Sequence, residues 1–199
     1  MADGPHRLFV AIPIPEPTRA AVGALLAPVR AMAFDRSPRW VRPETLHVTL
    51  RFLGDTPPEV VPAVARVVRE AVGDADAFEV RLAGAGAFPA HGRKIRALWL
   101  GISDGGDHLA GLERSLTGAL VQLGWSPEGR PFAPHLTVAR TDAASIRDAA
   151  LAAQALEAAA AGWASEFRAE QVVLYRSILG AGPPRHDAVE TVVLRPRAG

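Results

Sequence analysis

Short apolar runs alternate along the chain with longer segments in which apolar residues recur at helical spacing. A short run bounded by turn residues is typical of a buried strand, and apolar residues every three to four positions are typical of an amphipathic helix. The predicted strands are 8–12, 40–41, 47–53, 78–82, 95–101, 135–140, 172–178 and 188–194. The predicted helices are 16–33, 58–72, 109–123 and 143–161. Because strands and helices interleave without a Gly/Ser-rich linker, we expect an α+β architecture of two similar lobes.

Proline and glycine predict where several of these elements end. Pro28 is expected to kink or stop the first helix, since proline removes a backbone hydrogen-bond donor. Gly54 and the aspartate after it are expected to end the third strand. Two glycine-rich segments, 84–86 and 104–107, are predicted to be turns. Neither has the lysine and hydroxyl residue of a phosphate-binding P-loop.

Composition and charge exclude several classes of protein. The chain has 199 residues, no cysteine and a formal net charge of +1, with 22 Lys and Arg against 21 Asp and Glu. The absence of cysteine excludes disulfide frameworks, thiol catalysis and cysteine-ligated metal sites. The near-neutral balance argues against a broad electrostatic clamp on duplex nucleic acid and leaves room for a local basic cleft.

No segment approaches the apolar length of a membrane span, which is about 20 residues. The apolar start of the chain, 8–14, is short and is not followed by a small-residue cleavage site, so a signal peptide is not expected either. We therefore expect a cytoplasmic protein with no membrane partner, acting as a monomer.

Two predicted strands have the same motif, histidine–apolar–threonine–apolar, beginning at His47 and at His135. Side chains alternate between the two faces of a strand, so His47 shares a face with Thr49 and His135 shares a face with Thr137. Each strand would bury its apolar residues and present an imidazole beside a hydroxyl. Two similar lobes could bring these two faces together across a cleft.

These residue types suit the cleavage of a phosphodiester. In-line attack on phosphorus needs a base for the water and an acid for the departing oxygen, on opposite sides of the phosphorus atom. Histidine serves in both roles because its ordinary pKa is about 6.5. Threonine hydroxyls can donate to the non-bridging oxygens, and arginine can offset their charge. No metal ion is required, and no third ligand at suitable spacing, such as an H-E-x-x-H motif, accompanies the histidines.

The paired motifs and their flanks resemble the two-histidine phosphoesterase superfamily, and in particular its RNA 2′,3′-cyclic phosphodiesterases, also called 2′-5′ RNA ligases. The resemblance covers nearly the whole chain. It implies one bilobal α+β domain over residues 1–199, in which each lobe contributes one motif to a central cleft. The segments that carry it are RLFVAIPIP (Arg7 to Pro15), RWVRPETLHVTLRFLGD (Arg39 to Asp55), GAFPAHGRKIRALWLGI (Gly86 to Ile102), RPFAPHLTVAR (Arg130 to Arg140) and VVLYRSILGAGPPRH (Val172 to His186).

The resemblance also implies an activity and roles for five residues. The activity is hydrolysis of a 2′,3′-cyclic phosphate at an RNA or oligonucleotide end to a 2′-phosphomonoester, without metal or cofactor, and with weak 2′-5′ ligation as its reverse. His47 matches the general acid that protonates the 3′-oxygen, and His135 matches the general base that activates water. Thr49 and Thr137 match phosphate-binding threonines, and Arg140 matches a basic residue near the phosphate. The symmetry of the motifs alone does not distinguish acid from base.

Strict alternation makes different predictions for the two arginines that follow the motifs. Arg51 would share the face of His47, whereas Arg140 would lie on the face opposite His135. Arg140 could therefore reach the phosphate only if its strand ends or bulges before it. On the family match, Arg140 is the preferred phosphate contact.

Two phenylalanines and the remaining histidines complete the candidates. Phe52 and Phe132 can stack on a nucleobase, although core packing is the prediction for each. His186 departs from the family, whose members often have tyrosine there. The histidines without a threonine partner are expected to be surface or packed residues; these are His6, His91, His108 and His186.

Two alternative functions remain open at this point. The substrate could be a small cyclic nucleotide without RNA, in which case a cyclic mononucleotide would be turned over as well as a cyclic-ended oligonucleotide. The same fold could also serve as a non-catalytic module that binds RNA ends, in which case binding would occur without product.

Overall fold

A computed structural model describes residues 4–89, 94–178 and 184–196 of the chain. Short 3-10 turns at Pro43–Thr45 and Pro58–Val60 come just before the third strand and the second helix. In chain order the strands and helices are β1 (His6–Pro13), α1 (Glu16–Arg30), β2 (Arg39–Trp40), β3 (His47–Thr56), α2 (Val61–Val72), β4 (Phe78–Phe88), β5 (Ala97–Asp104), α3 (Gly106–Val121), β6 (His135–Arg140), α4 (Ile146–Ala160), β7 (Ala164–Ala169), β8 (Gln171–Ile178) and β9 (Arg185–Val193).

The strands form one antiparallel sheet in the order β7-β4-β5-β6-β3-β1-β8-β9, with β2 paired to β6. Its two middle strands, β6 and β3, are joined by a single residue pair, Val48 with Leu136. All other neighbours in this order share several pairs. The narrow junction divides the sheet into two halves, one of β7, β4, β5 and β6 with β2 and the other of β3, β1, β8 and β9, which confirms the predicted bilobal α+β fold.

The two halves repeat the same local design around the motif strands. In β3, Thr49 pairs with Ala11 and Arg51 pairs with Val10, which leaves Leu50 as an extra residue. In β6 the same irregularity leaves Val138 as the extra residue. A β-bulge of this kind reverses the alternation of the side chains that follow it. It occurs at the same offset from the histidine in both strands.

The helices cover the sheet and close one continuous hydrophobic core that includes residues of both halves. Helix α2 packs against α3, and α1 packs against α4. The apolar residues at helical spacing are buried on both of these helices, namely Val64, Val67, Val68 and Val72 of α2 and Leu112, Leu116 and Leu120 of α3. Val61 and Leu123, which the same periodicity includes, are only partly buried. No helix within the described ranges is long and apolar enough to span a membrane.

Two glycines lie within strands where turns or strand ends were predicted. β3 continues through Gly54 to Thr56, and β4 continues through Gly84 to Phe88. Gly54 and Gly84 have φ values of 73° and 71°, and the pairing of each strand is irregular at that point. Glycine tolerates this left-handed backbone, so each strand bulges and does not end.

One strand was missed, and the helix boundaries differ by a few residues from the predicted ones. β7 pairs with β4, yet its six residues bury only Phe167 and Ala169, so the apolar alternation that predicts a strand is weak. Pro28 lies in the last turn of α1, which ends at Arg30 and not at residue 33 as predicted. Helix α4 begins later than predicted because Ser145 caps it, its hydroxyl accepting a hydrogen bond from the Asp148 amide at 3.0 Å.

Candidate active site

A cleft of about 640 Å³ opens over the junction of β3 and β6. Four of the five predicted site residues line it: His47, Thr49, Thr137 and Arg140. His135 is half-buried at the start of β6, beside them. The remaining lining residues are Arg7, Leu8, Phe9, Arg39, Trp40, Val41, Arg42, Thr45, Phe52, Ser177, Pro184 and His186.

The register between β3 and β6 brings the two motifs side by side. Val48 pairs with Leu136 across the antiparallel strands, and the motif histidines and threonines flank this pair. Because side chains alternate between the two faces of a strand, these histidines and threonines project from one face of the sheet. Val48 and Leu136 are fully buried on the other face. The predicted acid, base and two threonines are therefore neighbours in one sheet.

The backbone holds both imidazoles in the same way. Nδ1 of His47 donates to the Thr45 carbonyl at 2.7 Å, and Nδ1 of His135 donates to the Ala133 carbonyl at 2.7 Å. A carbonyl oxygen only accepts, so Nδ1 carries the hydrogen in each ring and Nε2 is left for chemistry. A neutral ring then offers a lone pair on Nε2 as a base, and a protonated ring offers an Nε2–H as an acid.

Burial lowers the pKa of both histidines. The pKa of His47 is lowered to about 4, mainly by desolvation and to a smaller extent by His186, Arg140 and His135, while the bond to Thr45 opposes the shift. Burial and then Arg140 lower the pKa of His135, against the bond to Ala133. Because Arg140 acts on both rings, it lies close to both. Without a bound anion, both imidazoles are neutral near pH 7.

Aromatic side chains surround His47. Its ring centroid lies 4.9 Å from that of Phe9, 6.5 Å from that of Tyr175 and 5.4 Å from that of His186. These rings account for the desolvation of His47 and restrict the orientation of its imidazole. Phe9 and Tyr175 were not identified from the sequence.

His135 has an aromatic wall of its own, formed by Phe88 at 4.9 Å and Trp99 at 6.4 Å. Gly86 makes room for this wall, because a Cβ atom there would overlap the six-membered ring of Trp99. Neither aromatic residue was identified from the sequence, since the contact depends on how β4, β5 and β6 pair.

The bulge in β3 overturns the predicted orientation of Arg51. Arg51 does not share the face of His47: its side chain is buried, and its Nη2 donates to the Ser126 carbonyl. Its Nη1 lies 3.4 Å from a carboxylate oxygen of Glu128. Phe52, the next residue, lies in the cleft instead and is 52% exposed, so the prediction that it packs in the core is wrong.

The bulge in β6 explains how Arg140 reaches the cleft. Ala139 takes the buried position that corresponds to Arg51, and Arg140 takes the exposed position that corresponds to Phe52. Arg140 and Phe52 each lie five residues after the motif histidine. The site is therefore symmetric in histidine and threonine and asymmetric at this position, with a cation on one side and an aromatic ring on the other.

The other candidates from the sequence have mixed outcomes. Phe132 is partly buried against the core, as predicted. His108 stacks on Phe78 at 4.8 Å. His186, expected to be a surface or packed residue, lies in the cleft beside His47. His91 lies outside the described residues.

The described residues that line the cleft include four arginines and two histidines and no carboxylate. Arg39 is paired with Asp142 at 2.5 Å, whereas Arg7, Arg42 and Arg140 form no ion pair with any other residue that the structure describes. This is the local basic cleft that the near-neutral net charge left room for, and it suits an anionic ligand. In the same part of the chain, no three His, Asp or Glu side chains are grouped as a metal site requires.

A bilobal α+β fold with two His-x-Thr motifs on adjacent central strands defines a two-histidine phosphoesterase. A family model described as the 2′-5′ RNA ligase superfamily matches residues 16–180. The chain therefore belongs to the 2′-5′ RNA ligase superfamily.

Two relatives are named RNA 2′,3′-cyclic phosphodiesterase. The protein of Methanothermobacter thermautotrophicus is 35% identical over 142 residues, which cover 71% of this chain and 74% of that protein. The protein of Geobacillus stearothermophilus is 30% identical over 193 residues, which cover 96% of this chain and 57% of that protein.

Solved structures share the fold. A Thermus thermophilus crystal structure matches with a TM-score of 0.76 and 28% identity, covering 96% of this chain and 100% of the other. The crystal structure of Escherichia coli LigT complexed with 3′-AMP matches with a TM-score of 0.73 and 24% identity, covering 96% of this chain and 98% of LigT.

Proposed function

We propose that this chain hydrolyses the 2′,3′-cyclic phosphate at the end of an RNA or oligonucleotide to a 2′-phosphomonoester. The observation that carries the proposal is the arrangement of His47, Thr49, His135 and Thr137 on one face of two paired strands, at a cleft whose described lining has no carboxylate. The names of the two relatives support the same activity.

In the proposed reaction, His135 acts as the general base. Its Nε2 takes a proton from a water molecule while the water oxygen forms a bond to phosphorus. His47 acts as the general acid: its Nε2–H gives a proton to the 3′-oxygen as the bond from phosphorus to that oxygen breaks. Each turnover leaves His47 neutral and His135 protonated. His135 then loses its proton to solvent, and His47 gains a proton when the next substrate binds.

A pKa of about 4 leaves His47 without its proton near pH 7 until substrate binds. The negative charge of a cyclic phosphate beside the imidazole favours the protonated ring and raises its pKa. Substrate binding thus protonates His47, the acid that cleavage of the substrate requires. This step makes proton transfer dependent on a correctly seated phosphate.

Thr49, Thr137 and Arg140 are the proposed phosphate ligands. The two hydroxyls have no hydrogen-bond partner among the described residues, so both can donate to non-bridging oxygens. Arg140, without an ion pair, supplies positive charge as the negative charge on phosphorus grows. Preorganised donors of this kind commonly make the largest electrostatic contribution to catalysis.

The reaction as proposed needs no metal ion, because the imidazoles perform both proton transfers and the threonines and Arg140 stabilise the charge. We also propose that the protein acts as a monomer in the cytoplasm and that residues 1–199 form one bilobal domain. Weak 2′-5′ ligation follows from the same chemistry when the 5′-hydroxyl of another RNA end takes the place of water: its oxygen forms the bond to phosphorus, His135 takes its proton, and the bond from phosphorus to the 3′-oxygen breaks.

Product analysis tests the activity. An oligonucleotide ending in a 2′,3′-cyclic phosphate is incubated with the protein and a chelator, and the ends are resolved as 2′- or 3′-phosphate. We expect only the 2′-phosphate, at an unchanged rate with chelator. A 3′-phosphate, loss of activity with chelator, or binding of the oligonucleotide without product would contradict the proposal.

A further inference from the structure

A second set of polar side chains lies in the same cleft, beside the motif residues. Arg7 of β1 pairs with Ser177 of β8, and Ser177 pairs with His186 of β9, so the three lie in one row across the sheet. All three line the cleft. Arg42 lies close to this row: its charge lowers the pKa of His186, and its Nη2 is 3.5 Å from the Pro184 carbonyl. We call these four side chains the second polar group: Arg7, Arg42, Ser177 and His186.

The curl of the sheet brings this group next to the reacting imidazole. Three strand spacings separate β3 from β9, which would be about 14 Å in a flat sheet. The rings of His47 and His186 are nevertheless only 5.4 Å apart. Along β1, Arg7 is one same-face step of about 7 Å from Phe9, whose ring contacts His47.

The charges of the second polar group are available for a ligand. Within the described ranges, Arg7 and Arg42 form no ion pair, in contrast to Arg39 on the same rim, which is paired with Asp142. Asp187, next to His186, is engaged by Arg185 at 3.0 Å. Two guanidinium groups that no described carboxylate neutralises, with a hydroxyl and an imidazole, match the oxygens of a phosphate group, which guanidinium binds in a planar, bidentate geometry.

We propose that the second polar group is a subsite for the phosphate on the 5′-oxygen of the terminal nucleoside, whose cyclic phosphate lies at His47 and His135. The inference rests on the proposed function and specifies its substrate. A cyclic end that carries this second phosphate binds at two points, whereas a nucleoside 2′,3′-cyclic phosphate binds at one. The subsite therefore makes the enzyme selective for phosphorylated ends.

Three substrates test the subsite: adenosine 2′,3′-cyclic phosphate, the same molecule with a 5′-phosphate, and the dinucleotide ApA ending in a 2′,3′-cyclic phosphate. We expect kcat/KM for both phosphorylated substrates to exceed that of the first by about tenfold, the value of one charge-assisted contact. In Arg7→Gln and Arg42→Gln, this ratio falls towards one. Arg114→Gln, the same charge change at an exposed position of α3, leaves the ratio unchanged.

The outcomes separate the subsite from the activity itself. Hydrolysis of none of the three substrates would contradict the proposed function. Equal kcat/KM for all three, or an equal loss on all three in the arginine variants, would overturn the subsite and leave the activity intact. An advantage for ApA without one for the 5′-phosphate would also overturn it, because the second nucleoside would then be recognised. A higher kcat/KM for the 5′-phosphorylated mononucleotide, without one for ApA, supports the subsite and assigns it to mononucleotides.

Discussion

His47 and His135 are identical in backbone support and different in surroundings. Each donates from Nδ1 to the carbonyl two residues earlier, so both offer Nε2. His47 lies among Phe9, Tyr175 and His186, and its pKa is the one lowered to about 4. A bound anion raises the pKa of so strongly desolvated an imidazole most. This fits the proposed role of His47 as an acid that is protonated when the substrate binds.

This difference predicts the pH dependence of turnover. The acid must be protonated and the base neutral, so rate against pH is bell-shaped. Both pKa values are lowered from 6.5 in the free protein, so the alkaline limb of kcat/KM is expected below pH 6.5. Bound phosphate raises the pKa of His47, so the alkaline limb of kcat lies at higher pH. Steady-state kinetics from pH 4 to 10 check this; a plateau extending above pH 9 would contradict it.

At the scale of the elements, the bulges decide which side chains reach the cleft. Alternation correctly placed His47 with Thr49 and His135 with Thr137, since no bulge interrupts those residues. It failed for Arg51, because the extra residue in the strand reverses the two faces and no residue in the motif signals this.

The aromatic walls show a second limit of sequence reasoning. Phe88 and Trp99 reach His135 only through the pairing of β4 with β5 and of β5 with β6, and His186 reaches His47 only through the curl of the sheet. Such contacts depend on tertiary structure. The helices were easier to predict, because helical periodicity is local.

Gly86→Ala tests the wall of His135. A Cβ atom at this position overlaps the Trp99 ring, so the ring must move and the orientation of His135 is disturbed. We expect a loss of stability of about 1–3 kcal/mol and a fall in kcat that exceeds any change in KM. Thermal unfolding and steady-state kinetics measure both.

Gly118→Ala is the matched control, since nothing lies within 4 Å of a Cβ added there on α3. This variant should be as active as the wild type and about 0.5–1 kcal/mol more stable. Equal kcat in Gly86→Ala and in the wild type would show that the Trp99 wall does not position His135.

At the scale of the whole molecule, the active site lies at the narrowest point of the sheet. One residue pair joins the two halves there, yet the hydrophobic core is continuous across them. The described part of the chain thus combines two repeated halves with a single core, which is why we propose one domain.

This continuity predicts cooperative unfolding. Thermal transitions followed by near-ultraviolet and far-ultraviolet circular dichroism should coincide in a single step, because neither half retains its core when the other unfolds. Two separate transitions, or one half that remains folded after limited proteolysis, would contradict the proposal of a single domain.

The most direct test of the central claim is the turnover of a cyclic-ended oligonucleotide by His47→Ala and by His135→Ala, with circular dichroism to verify folding. Each imidazole performs one of two proton transfers, so each substitution is expected to lower kcat by roughly 10²–10⁴-fold without loss of the fold. Full activity in either folded variant would contradict the mechanism.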